Sequence, residues 1–308
     1  MTHPWKIEGI GFIGAGAVGS ALARGLRSLG YHVVAVASRN PKSARALAAQ
    51  FPGCRAVGGA QAVADACAAV FITTPDAAIA GVVDGVRWRR AQDVLHCSGA
   101  APVALLAQAR RAGANIGALH PLQTFPHRNV TEDALHGITF GVQADGPLLD
   151  RLESLVAELG SRAIHLRDED RPLYHASAVL VCGAATALAG VAADLWRTLA
   201  EPRSHEDGLQ ALLPLLRGTL DQLAARGLPE ALTGPVARGD VATVQAQINA
   251  LEQRSPEAVR VYTALGLVQV PIARQKGGCT DRAARELTEL FSDAFVAERT
   301  VTARRRPA

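Results

Sequence analysis

The sequence predicts a parallel α/β domain followed by an all-α domain, and three observations carry that prediction. Residues Ile7 to Arg39 hold an apolar run, a glycine turn, an amphipathic stretch and a second apolar run in immediate succession. Strand and helix periodicities then alternate as far as Leu166. Beyond the charged segment Arg167-Asp168-Glu169-Asp170-Arg171-Pro172 only helical periodicity remains. At 308 residues the chain is long enough for two domains, predicted over residues 1–167 and 168–308.

The elements follow in order. Ile7 to Ile13 is a strand, preceded by a short lead-in from Met1 to Lys6. Val18, Leu22, Leu26 and Leu29 fall on one face of a helix, and His32 to Ala37 is a second strand. Pro41 to Gln50 is a helix with Asn40 as cap and Pro41 in its first turn. Gln61 to Cys67 is a short helix and Ala69 to Thr73 a strand. Asp76 is expected to cap a helix over Ala77 to Val83. Strands over Val94 to Cys97 and Ile116 to Leu119 flank a helix over Pro102 to Arg111. The α/β region closes with a strand over Gly137 to Val142, a helix over Pro147 to Leu159 and a strand over Ala163 to Leu166. Helices are then predicted over Leu173 to Thr198, Glu206 to Arg226, Val241 to Leu251, Glu257 to Leu267 and Asp281 to Val301.

The first turn is the most informative segment. Gly14-Ala15-Gly16-Ala17-Val18-Gly19 is a G-x-G-x-x-G that follows a strand and opens a helix. That context is the one in which the motif binds a dinucleotide. Gly14 allows the tight turn, Gly16 lets the backbone approach the phosphates, and Gly19 lets helix and strand pack closely. The helix N-terminus offers unpaired N–H groups and a partial positive charge to the pyrophosphate. The domain is therefore expected to be Rossmann-like. At the end of the second strand stand Ala37-Ser38-Arg39-Asn40, with no carboxylate. Ser38 can donate to a 2′-phosphate and Arg39 can pair with it or stack on adenine, whereas an acid would repel it. The expected cofactor is NADP(H); the alternative is that Ser38 and Arg39 are ordinary residues of a solvated loop.

Ligands of an open α/β sheet collect beyond the carboxyl ends of its strands. Four segments are placed there: Gly14 to Gly19, Thr73-Thr74-Pro75-Asp76, Ser98-Gly99, and His120 to Phe125. Thr73, Thr74 and Pro75 are expected at the cofactor. His120 is a candidate proton donor, since a carbonyl or imine that receives hydride needs one and imidazole suits neutral pH. The alternative is a histidine bonded to a loop backbone. Ser98, Gln123 and Thr124 are candidates to orient a substrate carbonyl. His175, at the start of the long helix, either lines the active site or is a polar residue at a helix start. That helix carries Gly183 in its interior, where close approach of a backbone or ligand, or packing on the first domain, would explain it. Arg238 can bind a substrate carboxylate through a bidentate fork, with Asp240 either fixing it or capping the next helix.

Composition narrows the classes. Net charge is +4, lysine occurs only at positions 6, 42 and 276, and the one tight basic cluster is Arg304-Arg305-Arg306, read as a solvated tail. With only 4% aromatic residues and no basic stripe, no nucleic-acid partner is expected. Five cysteines without a C-x-x-C pair and nine dispersed histidines predict neither metal nor disulfide framework. Apolar stretches read as broken by charge or glycine within about a dozen residues, short of the roughly 20 of a membrane span, and the N-terminus has no signal-peptide pattern. A cytoplasmic protein, a small-molecule substrate and no membrane partner are the expectations. A homodimer through the helical domain is expected from the broad apolar surface of the Ala-rich Leu173 to Thr198 helix.

The G-x-G-x-x-G unit, His96-Cys97-Ser98-Gly99-Ala100, HPLQTF from His120, DRPLYHASAV from Asp170, LLPLLRGTL from Leu212 and LTGPVARGD from Leu232 together resemble one family over nearly the whole chain. It pairs a Rossmann-like NADP-binding domain with a helical domain of unknown function, and its members are often described as deazaflavin-type NADP oxidoreductases. It is similar, within the 6-phosphogluconate dehydrogenase-like superfamily, to ketopantoate reductases, of which some members are regarded as an alternative form. The resemblance implies NADPH-dependent reduction of a small 2-keto or imino acid, and pairing through the helical domain. HPLQTF is also similar to the His-Pro loop of prephenate dehydrogenases, which gives a second enzymatic reading. A non-catalytic NADP-binding sensor or scaffold is a third. The chain departs from the family where Cys182-Gly183 replaces a Ser-Asn pair and where Gln247 replaces a frequent His. It departs from ketopantoate reductases in having no lysine on the long helix.

Overall fold

The computed structural model describes residues 4–125 and 131–304. It forms two compact units, Met1–Cys182 and Gly183–Ala308. Arg305 and Arg306 of the basic cluster lie outside the described residues.

In the first unit the chain runs α1 (Pro4–Glu8), β1 (Ile10–Ile13), α2 (Ala17–Ser28), β2 (Val33–Ala37), α3 (Pro41–Ala48), β3 (Arg55–Ala56), α4 (Ala60–Ala66), β4 (Ala69–Ile72), α5 (Ile79–Asp84) and β5 (Asp93–His96). It continues through α6 (Ala107–Arg111), β6 (Asn115–Leu122), β7 (Thr139–Ala144), α7 (Gly146–Glu158) and β8 (Arg162–His165) into α8 (Arg171–Asp194). The eight strands form one sheet in the order β3-β2-β1-β4-β5-β6-β7-β8. All neighbours are parallel except β6 and β7. The first six strands have the Rossmann order, with the order of strand addition reversing between β1 and β4. The strands β1, β4 and β5 are buried along their whole length, as a sheet covered on both faces requires. One face packs under Leu22 and Leu26 of α2 and Leu148, Leu152 and Leu155 of α7. The other packs under Val63 of α4, Ile79 and Val83 of α5, Leu106 of the 3₁₀ turn before α6, and Ala109 of α6.

The second unit holds the rest of α8, then α9 (His205–Arg226), α10 (Val241–Arg254), α11 (Pro256–Lys276) and α12 (Asp281–Arg304). Its core joins Val244 and Ile248 of α10, Val259 and Val270 of α11, and Leu287 and Phe291 of α12.

Several expectations are corrected. Ile7 and Glu8 belong to α1 rather than to the first strand, because Trp5 is buried and its indole donates to the buried Asp93 carboxylate. Asn115 and Arg151 bond the same carboxylate, so a buried charge at the start of β5 is fully partnered. The strand predicted to stop at Leu119 runs on to Leu122 and contains His120-Pro121. Beyond Ala118, β6 is paired on its β7 side only, so a proline without an N–H is tolerated there. The two-residue β3 was not predicted, being too short for a period to register. Asp76 does not cap a helix; it opens a single 3₁₀ turn, Asp76–Ala78, and bonds elsewhere. Finally, Gly183 and Gly190 do not interrupt α8. The helix Arg171–Thr198, its last turn 3₁₀, is long and apolar enough by length and composition to cross a membrane. Reading its glycines as breaks was wrong, because an isolated glycine weakens a helix by only about 1 kcal/mol.

Candidate active site

The carboxyl ends of β1, β2 and β4 surround a cavity of about 480 Å³. Gly14, Ala15 and Gly16 form one wall, Ser38, Arg39 and Asn40 another, and Thr73, Thr74 and Pro75 a third. Gly14 has φ +119°, and a Cβ there would lie 2.5 Å from the Thr73 carbonyl oxygen. Only glycine serves at that position. A Cβ at Gly19 would lie 2.6 Å from the Gly14 carbonyl oxygen, which explains the close approach of α2 to the turn. At Gly16 nothing stands within 4 Å of an added Cβ, so the backbone faces open space.

Gly16 is the N-cap of α2, which has no side-chain cap, and Ala17 and Val18 open its first turn. The unpaired N–H groups therefore point at the cavity with the positive end of the helix dipole behind them. The Thr74 hydroxyl is buried without a partner. Among the described residues no carboxylate lines the cavity, and Arg39 is exposed at its rim. These features fit a dinucleotide that carries an additional phosphate on its ribose.

The chain leads directly from this cavity to the histidines. Pro75 lines it, and the next residue, Asp76, accepts the Ser98 hydroxyl at 2.7 Å. That hydroxyl also accepts the Ala101 N–H at 2.9 Å and the Ala100 N–H at 3.2 Å. Ser98 thus holds the turn after β5 in place and ties it to the turn after β4. The geometry it fixes is that of Gly99. A Cβ built on Gly99 would lie 2.9 Å from His120 Nε2 and 2.9 Å from His175 Nδ1. The two nitrogens are therefore separated by no more than twice that distance, close enough for one atom to bond both. The imidazole rings stand edge to face, with centroids 6.2 Å apart. His175 Nδ1 is buried without a partner.

Three further residues of this cluster escaped the sequence reading. Tyr174 Oη is 2.8 Å from His120 Nδ1. The Arg171 side chain is wholly buried, donating to Gln143 Oε1 at 2.7 Å and to the Ser98 carbonyl oxygen at 3.1 Å, with Asp168 at 3.7 Å. His96, also wholly buried, lies at the end of β5 with its Nε2 unpartnered. Burial lowers His120 to about 4, assisted by His175 and the Arg171 charge and opposed by Asp76. Burial and Arg171 likewise lower His96 to about 4. Burial raises the Tyr174 phenol to about 12, against the pull of Arg171 and a main-chain hydrogen bond from Gly141. A signal for Arg171 and Tyr174 was present: with His175 they stand at i, i+3 and i+4 on one face of α8.

Gln123 and Thr124 are exposed after β6 and bond each other, the amide oxygen accepting the Thr124 N–H at 2.8 Å. Arg238 is exposed in the second unit, and Asp240 caps α10 by accepting the Thr243 N–H at 3.1 Å. Gly183 is exposed.

The fold and the cavity define a Rossmann-like dinucleotide-binding domain. Residues 9–102 match the family described as NADP oxidoreductase, coenzyme F420-dependent, and residues 138–268 match a domain of unknown function, DUF2520. The chain joins an NADP oxidoreductase domain to a DUF2520 domain, and NADP(H) is the cofactor named for the first of them.

Among solved structures, a Bacteroides fragilis protein assigned as an NADP oxidoreductase is 25% identical, with a TM-score of 0.64 over 87% of this chain and 96% of that one. A Thermotoga maritima protein is 23% identical, with a TM-score of 0.68 over 87% and 99%. A reductive aminase from Aspergillus terreus, in complex with NADPH and ethyl-5-oxohexanoate, shares the fold at 16% identity, with a TM-score of 0.56 over 94% and 93%. Comparison with curated proteins gives no match.

Proposed function

We propose that this protein is an NADPH-dependent reductase of a small 2-keto or imino acid. The observation that carries the proposal is the convergence of His120 Nε2 and His175 Nδ1 beside Gly99, one turn from the nucleotide cavity. In this reading Gly14, Ala15, Gly16, Ala17, Val18 and Gly19 hold the pyrophosphate, and Ser38 and Arg39 hold the 2′-phosphate. Thr73, Thr74 and Pro75 border the nicotinamide side. The bound cofactor supplies hydride to a carbon held against the imidazoles. His120 and His175 supply hydrogen bonds and a proton to the heteroatom attached to that carbon. Ser98 acts on this site by fixing Gly99, since its hydroxyl is already engaged with Asp76 and two main-chain N–H groups.

The test is NADPH oxidation, followed by absorbance, against a panel of 2-keto acids and cyclic imino acids. His120→Gln is expected to bind NADPH as the parent protein does and to lose on the order of 10²–10⁴ in turnover. Tight NADPH binding without turnover on any member of the panel would remove the enzymatic reading and leave a nucleotide-binding role.

A further inference from the structure

We infer that Tyr174 fixes His120 as an Nε2–H donor facing the space beside Gly99, so that the site takes a neutral carbonyl oxygen rather than an iminium nitrogen. The inference rests on the reductase reading above and deepens it.

The argument begins with where one proton must be. The phenol of Tyr174 and the imidazole of His120 meet at 2.8 Å. Two arrangements are possible for a neutral pair: the phenol donates to a bare Nδ1, or an Nδ1–H donates to the phenol oxygen. In the second, the phenol O–H needs another acceptor. Among the described residues its hydrogen-bonding partners are His120 Nδ1 and the Gly141 main chain, and Gly141 donates. Of the two groups the phenol is the stronger donor and the bare imidazole nitrogen the stronger acceptor, so the first arrangement is the lower in energy. The phenol therefore donates to Nδ1, and the ring proton resides on Nε2. That nitrogen is the one turned toward Gly99 and His175 Nδ1.

The charges around the pair select the substrate. Arg171 is a wholly buried cation, one helical turn before His175, and it donates to the carbonyl oxygen of the residue preceding Gly99. The nearby carboxylates are already engaged. Asp168 faces Arg171 and accepts the Val103 N–H, and Asp76 accepts the Ser98 hydroxyl. A fixed buried cation disfavours a second cation beside it, as the lowered protonation of His96 and His120 also registers. An iminium would be such a cation. A neutral imine would need a stronger acid than a phenol to become one. A carbonyl oxygen instead moves from neutral to anionic as it is reduced, and its alkoxide is basic enough to take a proton from this pair.

The step balances as follows. The carbonyl carbon receives the electron pair of a dihydronicotinamide hydride, and the C–O π pair moves to the oxygen. The oxygen takes the proton from His120 Nε2, Nδ1 takes the phenol proton of Tyr174, and the resulting phenolate regains a proton from water. Tyr174 is a positioning residue, since it acts through His120.

The experiment has one arm that does not depend on catalysis. Two-bond ¹H–¹⁵N spectra of the full chain, labelled at histidine and recorded near neutral pH, report which ring nitrogen carries the proton. His120→Gln identifies the signals. The expected result is a protonated Nε2 and bare Nδ1 in the parent protein, with the tautomers mixing in Tyr174→Phe while the His96 signals stay in place. A protonated Nδ1 in the parent protein overturns the inference, whether or not the variant folds.

In the second arm, NADPH oxidation is followed on a 2-keto acid alone and with ammonia added. Oxidation that ammonia leaves within about twofold is expected, and Tyr174→Phe should lower kcat about 10- to 100-fold at little changed KM. Turnover that requires ammonia overturns the carbonyl assignment. Absence of oxidation with either substrate overturns the reductase reading and the carbonyl assignment with it, whatever the spectra show.

Discussion

Gly99 lies directly against His120: a side chain as small as methyl would place its carbon 2.9 Å from the imidazole Nε2. The same carbon would press on His175 Nδ1 at the same distance. The missing side chain is thus what allows the two rings to converge.

Gly99→Ala is accordingly expected to push at least one imidazole aside. Overpacking of this kind costs about 1–3 kcal/mol of stability, while displacement of a proton donor by an ångström costs on the order of 10²-fold in turnover. NADPH affinity should hold, because Gly99 does not line the nucleotide cavity. Calorimetric titration with NADPH beside steady-state turnover separates the two effects. Parent-like turnover in the alanine variant would contradict the proposed role of the pair.

Arg39 stands exposed at the cavity rim beside Ser38, with no carboxylate among the described lining residues. Arg39→Ala should weaken NADPH binding by about 1–3 kcal/mol through loss of a charge-assisted contact, and NADH binding hardly at all. Equal losses for the two cofactors would contradict the assignment of the 2′-phosphate to this residue.

His96 and His120 make stability depend on pH. Both are lowered from 6.5 to about 4 by burial, with Arg171 adding to the effect at each and Asp76 opposing it; His175 adds at His120, and Asp168 opposes at His96. Between these values the unfolded chain binds protons that the folded chain refuses. The stabilisation is therefore fully present above pH 6.5 and is lost as pH falls from there toward 4. The loss is on the order of 3 kcal/mol for each imidazole. Urea midpoints should fall between about pH 7 and about pH 5, and His96→Gln should flatten the dependence. A midpoint unchanged over that interval would show that neither imidazole is held neutral.

The helix α8 exposes Leu173, Leu180 and Val181, each at least 70% accessible, and α9 exposes Leu215 and Leu220. Apolar surface on this scale needs a partner, and we propose that a second copy of the chain covers it. Sedimentation at micromolar concentration is expected to give a dimer, and Leu180→Glu with Val181→Glu should shift it to monomer. A concentration-independent monomer contradicts the proposal. Recovery of the protein with membranes would assign the surface to lipid instead, which the hydropathy of α8 also fits.

The nucleotide domain was legible in the sequence because its signals are local. A glycine turn, the period of one helix and the apolar runs on either side of it lie within Ile7 to Arg39, and each depends on residues a few positions apart. The absence of an acid after β2 is equally local. His120 and His175 were readable as candidates because each falls beside a predicted boundary, the strand end expected at Leu119 and the helix start expected at Leu173.

Their relationship was not readable. Tyr174 meets His120 across 54 positions of sequence, and Arg171 reaches Gln143 and the Ser98 carbonyl from the start of a helix whose rotation no local pattern fixes. The continuation of β6 through Pro121 depended on its having a partner on one side only. The Ser98 hydroxyl looked free in sequence, and only the packing of two turns against each other assigned it to Asp76. Local pattern specifies which elements form and which face they bury. The proton's place and the field around it come from contacts between elements, and those exist only once the sheet is assembled.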